Sequence, residues 1–471
     1  MPDDAPLALL RRHSNPIGQQ LEMFDRRRLW IIGLAVAIVW YPTLTWLLGF
    51  TPWTKLDFGL AFNSMAEHLL AGRFDVDPQA IGSEGFDVDG RTVSYFGIFC
   101  ALLRIPLVLL PGFARTDVTW WSCLIAVLLA TWFQMRAIAQ IWQAQSTPRQ
   151  DWLAAALLIS VILGGPHIQF LRPSIYQEPI NWACAQSMAF VWLAIRGMTS
   201  AQGFNRSTLC WMAVCAGLAL LTRVSFGIGG YAAFGLLLLA RGQPREWPAP
   251  AAILLAFIAM TGIVNLGRWG NPLTFADYSH FDISQDVYPD RLGRIAAYGA
   301  FNPTRIWLGL DYYFLPIWIW IRADGHVLFA ESQATLMDAM ELPPGSFLLT
   351  DPLLLGLAVA GVLSVRDRVR AALLLGLGVP PVLMLCAISM AHRYRMEFYP
   401  LLFLAALFCI TAPSRRTALT KSFRAAIIGS IVVGIVAAHG MAVLDARSPR
   451  GPGEFYLERY GLIGTYTRQP R

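Results

Sequence analysis

The sequence predicts an all-α, polytopic integral membrane protein with about 11–13 transmembrane helices and amphipathic juxtamembrane helices in two large external loops. Three observations carry this. Hydrophobic residues make up 56% of the 471 positions, with a mean hydropathy of +0.49. Only 14% are charged, about half the roughly 25% of a soluble globular chain. The apolar residues also gather into blocks on the scale of the ~20 helical residues needed to cross a bilayer core of ~30 Å. Intrinsic disorder, a secreted disulfide scaffold and a soluble nucleic-acid binder are excluded.

The blocks fall at 29–50, 93–112, 117–142, 151–170, 181–198, 207–222, 224–240, 249–267, 351–365, 371–389, 396–412 and 425–444. Residues 1–28 read as a cytoplasmic tail, 29–444 as the transmembrane domain and 445–471 as a C-terminal tail. Arg26, Arg27 and Arg28 precede a first block too long for a cleaved signal peptide, so it anchors the chain with its N-terminus inside. Basic residues at Arg366/Arg368/Arg370, at Arg415/Arg416/Lys421/Arg424, at Arg241/Arg245 and at Arg196/Arg206 mark further cytoplasmic loops. This puts 51–92, 171–180, 268–350 and the turn at 392–395 outside.

The alternation fails once, between residues 93 and 150. The block 93–112, interrupted by Arg104 and Pro106, is expected to dip or pack without crossing; the alternative is that 305–322 crosses as well. The net charge of +7 comes from arginines at block ends, so it indicates no nucleic-acid partner. All seven cysteines lie in apolar stretches without CxxC spacing and read as small packing residues.

The loop 51–92 holds seven acidic and three basic residues. Within it, FGLAFNSMAEHLLA places Phe58, Phe62, Met65 and Leu69 on one helical face, with Asn63, Ser64, Glu67 and His68 elsewhere. That pattern predicts an amphipathic helix lying on the membrane surface. Asp57 precedes it directly, at headgroup depth, and reads either as a functional carboxylate or as the helix N-cap, with Thr54-x-x-Asp57 as a loose capping pattern. Asp75, Asp77, Asp87 and Asp89 offer oxygen ligands to a divalent cation, but match no EF-hand loop; a solvated acidic hairpin is the better reading, and no metal site is assigned.

Four further segments carry chemistry. HRYRME (392–397) presents His392, Arg393, Tyr394 and Arg395, suited either to phosphate oxygens or to interfacial anchoring. RPSIYQEP (172–179) carries Arg172, Tyr176 and Glu178, where an Arg172–Glu178 ion pair is the bland alternative. GRTVSYFGIF (90–99) and NLGRWGNPLTFADY (265–278) set glycines beside aromatics next to a membrane block. No Walker, HExxH or GxSxG sequence is present.

Four of these places together resemble the GT-C class of membrane glycosyltransferases: Asp57 early in the first external loop; Gly90, Tyr95, Gly97 and Pro106; Asn265, Arg268, Gly270 and Pro272; and Arg393, Tyr394 and Pro400. Their order agrees with that class over residues 29–412, although Phe58 stands where many relatives have a second acidic residue or a short polar run. The resemblance implies an inverting enzyme of the outer membrane face, and arginine-heavy usage with almost no lysine points to a GC-rich bacterial genome and so to a bacterial inner membrane. It would take a polyprenyl-phosphate-linked sugar and a glycan, lipid or protein acceptor among membrane lipids. Asp57 would be the general base, with Glu67, Tyr95, Arg172, Tyr176, Glu178, Arg268, His392, Arg393 and Tyr394 binding substrate. The alternative is a transporter or flippase of a lipid-linked substrate, with Arg104, Arg136 and Arg223 as its membrane charges.

Overall fold

The computed structural model describes residues 16–144, 147–169, 171–281, 290–315, 330–337, 346–412 and 419–447. The chain is an all-α polytopic membrane protein. Among the described residues seven helices are long and apolar enough to cross a membrane: α1 (Arg26–Leu47), Thr119–Ala144, Val224–Arg241, Pro248–Trp269, Arg368–Leu385, His392–Thr411 and Lys421–Ala446. Four more apolar helices, Pro148–Leu163, Gln177–Thr199, Arg206–Thr222 and Pro352–Ser364, lie between them in sequence. Counting all of these as crossings gives eleven, the low end of the expected number.

The alternation closes with that count because 93–112 does not cross. It contains only the helix Phe99–Arg104 and a 3-10 turn, Ile105–Leu107. Six helical residues rise about 9 Å, a third of the bilayer core. The described basic connections at Arg196/Arg206, Arg241/Arg245 and Arg366/Arg368/Arg370 then share one face with Arg26–Arg28. The alternative crossing at 305–322 falls partly outside the described residues; its described part is a nine-residue helix, Ile306–Phe314. Arg415 and Arg416, most of the N-terminal tail and 448–471 also lie outside them.

Local chemistry explains where the helices start and stop. Thr147, Asn205 and Asp367 each accept a backbone N–H of the helix that follows. Gly242 and Gly270 end helices in the left-handed conformation. The helix Tyr399–Thr411 is buried along nearly its whole length and forms the centre of the body. The spans Arg26–Leu47, Pro248–Trp269 and Lys421–Ala446 stay largely uncovered by protein, as lipid-facing helices do.

The opposite face carries a cap. In it, α2 (Ala61–Leu70) leads to a hairpin of β1 (Phe86–Val88) and β2 (Arg91–Val93), closed by Asp89 and Gly90 at φ 53° and 72°. Two left-handed residues in sequence make the tight turn that Asp-Gly favours, so the acidic hairpin is present as read. Its Phe86 stacks on Phe281 at 4.8 Å and meets Trp269 and Tyr278 edge-on, joining the two long loops.

The expected surface helix is corrected. Asn63, Ser64 and His68 of α2 are buried along with Phe62 and Met65, so both faces of the helix are covered by protein. Asn63 donates to the carbonyls of Phe113 and Thr116, at 2.9 and 2.8 Å. Ser64 bonds Asp77, and His68 lies between Asp75 and Asp77. An amphipathic pattern records which side chains are polar, not whether water or protein meets them.

Candidate functional site

Asp57 is exposed, in the turn before α2. It is not the cap: the N-cap position is Leu60, with no side-chain bond, and Thr54 bonds Thr51 instead. The turn itself is held on both sides. Leu56 donates its N–H to Asp117 Oδ2 at 3.3 Å, and the Gly59 carbonyl accepts from Thr119 Oγ1 at 3.2 Å and Arg104 Nη1 at 3.3 Å. A Cβ at Gly59 would fall 2.0 Å from Asp117 Oδ2, so a side chain there would displace the Asp117 carboxylate. Phe58, beside Asp57, has φ 60°, a conformation that bulky side chains adopt at a cost of about 1–3 kcal/mol. The carboxylate is presented by a backbone its surroundings hold in place.

A cleft of about 230 Å³ opens where 95–98, the junction at 222–225 and the end of the helix Pro248–Trp269 meet. Tyr95, Thr222, Arg223, Thr261, Asn265 and Arg268 supply its polar lining. Gly97 lets the 95–98 segment press on the end of the helix Arg206–Thr222, since a Cβ there would meet the Leu221 carbonyl at 2.2 Å. Burial, and then the nearby Glu84 carboxylate, raise the Tyr95 phenol well above its ordinary value, so it stays a neutral hydrogen-bonding group. Arg268 is only 3% exposed. It donates to the Phe96 carbonyl at 2.7 Å and touches Met65 sulfur at 3.4 Å; among the described residues its Nε has no partner and no carboxylate pairs with it.

Beside the cleft, rings and guanidinium groups stack in series. Glu84 accepts from the Tyr176 hydroxyl at 2.6 Å; Arg393 lies 4.8 Å from the Tyr176 ring and 5.3 Å from the Tyr394 ring. Arg223 sits 5.1 Å from Tyr394 and pairs with buried Glu397, which Ser225 also bonds at 2.9 Å. The 3-10 helix His392–Phe398 supplies His392, Arg393 and Tyr394 from one short segment.

The sequence-predicted residues therefore separate. Tyr95 and Arg268 line the cleft, and Tyr176, Arg393 and Tyr394 form the stack next to it. Arg172 and His392 both turn to Asp445, at 3.5 and 4.0 Å. Glu67 is half-buried on α2, and Asp57 is not part of the cleft lining. Glu178 is a correction. It is fully buried and paired with Arg104 at 2.7 Å, so neither the Arg172–Glu178 pair nor direct substrate contact by Glu178 matches its position. Arg395 is likewise consumed inside the protein, by Asp351 at 2.9 Å.

Sequence reasoning missed Asp117, Asn63, Glu84 and Glu397 as partners, and placed Arg223 as a membrane charge. Arg223 lies instead at the junction of two helices over the cleft. Its place between the blocks 207–222 and 224–240 was the available signal. Asp75 and Asp77 are engaged by His68, and among the described residues no three His, Cys, Asp or Glu groups converge as a metal would need.

No protein-family model matches the chain, and no curated protein matches it in sequence. Solved structures do. The chain is similar to the oligosaccharyltransferase of Archaeoglobus fulgidus tethered to an acceptor peptide containing the NVT sequon, at 13% identity and TM-score 0.51, over 94% of this chain and 57% of the other. The apo form of the same enzyme gives 13% identity and TM-score 0.50, over 94% and 58%. This chain thus spans somewhat more than half of that enzyme's length. The shared architecture is the GT-C fold of membrane glycosyltransferases.

Proposed function

We propose that the protein is an inverting glycosyltransferase that moves a sugar from a polyprenyl-phosphate donor to an acceptor hydroxyl on the outer face of a bacterial inner membrane. The acceptor is a glycan, lipid or protein hydroxyl. The observation that carries the reading is the Asp57 turn: an exposed carboxylate, held on one side by half-buried Asp117 and on the other by buried Thr119 and Arg104, with an unfavourable backbone conformation next to it and no capping role. The GT-C fold supports glycosyl transfer as the chemistry.

The acceptor oxygen attacks the anomeric carbon while its proton passes to Asp57. The bond from that carbon to the phosphate oxygen breaks, and the phosphate leaves as an anion. An alcohol needs a base to become a good nucleophile, and a carboxylate with a reference pKa near 3.9 is ionised at neutral pH. The phosphate needs no protonation, so a second catalytic carboxyl is unnecessary. Arg268, buried without a counter-ion among the described residues, and Arg393, stacked at the neighbouring turn, suit the charge growing on it. Of the charges a transporter would use, Arg104 and Arg223 sit at helix ends and each holds a carboxylate, and Arg136, within the span Thr119–Ala144, lies 5.5 Å from the Trp192 ring.

The test is Asp57→Asn in reconstituted membranes. Turnover of a polyprenyl-phosphate sugar should fall by roughly 10²–10⁴ with folding unchanged, because a positioned base is worth that much. Wild-type turnover in this variant would move the base elsewhere, with half-buried Glu67 the next carboxylate on the adjoining helix.

A further inference from the structure

Residues 105–114 read IPLVLLPGFA, ten positions without a polar side chain. They do not form a membrane-crossing helix. A 3-10 turn at Ile105–Leu107 is followed by a second at Phe113–Arg115, with Gly112 at φ 79° between them. Phe113 is buried and Ile105 and Val108 pack partly against the core beneath, whereas Leu109 is 86% exposed and Leu110 57%, with Leu103 just before the stretch at 39%. The tip is nevertheless held firmly at its base. Asn63 bonds the Phe113 and Thr116 carbonyls, and Arg104, at the start of the stretch, is buried against Glu178.

Two features suit this tip to lipid. Backbone groups leaving water must be satisfied internally, and Val108, Leu110 and Phe113 donate to the carbonyls of Ile105, Leu107 and Leu110 at 3.2, 2.9 and 3.2 Å. The chain also has no room to carry the tip far from the bilayer. The span Thr119–Ala144 begins five residues after Ala114, and five extended residues reach at most about 18 Å. Arg115 is exposed at the end of the tip and Trp53 is 86% exposed just past the first span, residue types that favour the headgroup region.

We propose that 105–114 is a rigid apolar wedge that inserts into the acyl–headgroup boundary of the leaflet on the Asp57 side, with lipid chains as its partner. Asn63 and Arg104 connect it to the Asp57 turn: Arg104 bonds both the Asn63 side chain and the Gly59 carbonyl. The wedge thereby sets the height of Asp57 above the bilayer. That consequence rests on Asp57 being the base; the insertion itself does not.

The experiment is a spin label at Leu109→Cys in the full-length chain, in lipid nanodiscs holding one copy each, with labelled wild type as the background for the native cysteines. Collision rates with oxygen should exceed those with a water-soluble nickel chelate several-fold, while a label at Arg115→Cys should favour nickel. A Leu109 label that meets nickel as readily as oxygen overturns the proposal, and in a single-copy disc without acceptor it points to a protein or acceptor contact instead. Leu110→Cys supplies the same measurement where Leu109→Cys does not fold. Because the readout is depth, it stands or fails independently of sugar transfer.

Discussion

Arg104 and Arg268 are almost equally buried, at 2% and 3% exposure, and both help hold the cap together, yet their surroundings treat their charges oppositely. The charge of Arg104 is answered: Glu178 carries the opposite charge, and Gly59, Asn63 and Thr119 accept from its two terminal nitrogens, leaving its Nε without a partner among the described residues. Arg268 has one carbonyl and one thioether, and the cleft in front of it. A buried ion with a satisfied partner holds structure together. A buried ion without one carries a desolvation penalty that an incoming anion relieves. The two arginines are therefore expected to fail differently when removed.

The largest effect should be on folding. Arg104→Met strands Glu178 as an unpaired buried carboxylate and should lower stability by about 3–5 kcal/mol, read from thermal unfolding in detergent. Replacing both partners, Arg104→Met with Glu178→Met, should recover most of that loss. A double variant as unstable as the single one would mean that the hydrogen bonds to Gly59 and Asn63, not the charge, carry the site.

Arg268→Met should invert the pattern. Folding should hold or improve, while donor use weakens by about tenfold or more, since a charge-assisted hydrogen bond to a phosphate is worth about 1.5–3 kcal/mol. Unchanged donor kinetics would leave Arg268 as a packing residue. Arg393→Ala, which removes the group stacked between Tyr176 and Tyr394, should likewise weaken donor use by at least about tenfold with the protein folded.

The smallest effect belongs to the looser pair. Arg172 and Asp445 meet at 3.5 Å with Arg172 about one-third exposed, so Arg172→Ala should cost no more than about 1 kcal/mol. Acid offers a similarly modest probe of the cap. Burial pushes the Asp75 carboxyl up, but the His68 imidazole and Arg73 outweigh it and hold it below its ordinary value. A depressed carboxyl stabilises above its unfolded pKa of about 3.9 and loses that contribution as pH falls through the folded value. The link between α2 and 75–77 should thus weaken only below about pH 4, and Asp75→Asn should remove this pH dependence.

Much of this molecule was determined by composition along the chain. The apolar blocks specified the spanning helices, the basic residues at their ends specified the alternation, and Asp89-Gly90 specified the hairpin. Arg104 and Pro106 marked the one block that does not cross, because a charge and a helix-breaking ring are local facts. The tertiary structure alone decided which charges are neutralised. Arg104 meets Glu178 across 74 residues, Arg223 meets Glu397 across 174, and Arg268 reaches Phe96 across 172 without meeting a carboxylate among the described residues. Hydrophobicity adds up segment by segment, so a sequence displays it directly. Compensation of a buried charge depends on ångström-scale placement of groups far apart in the chain, which only packing settles.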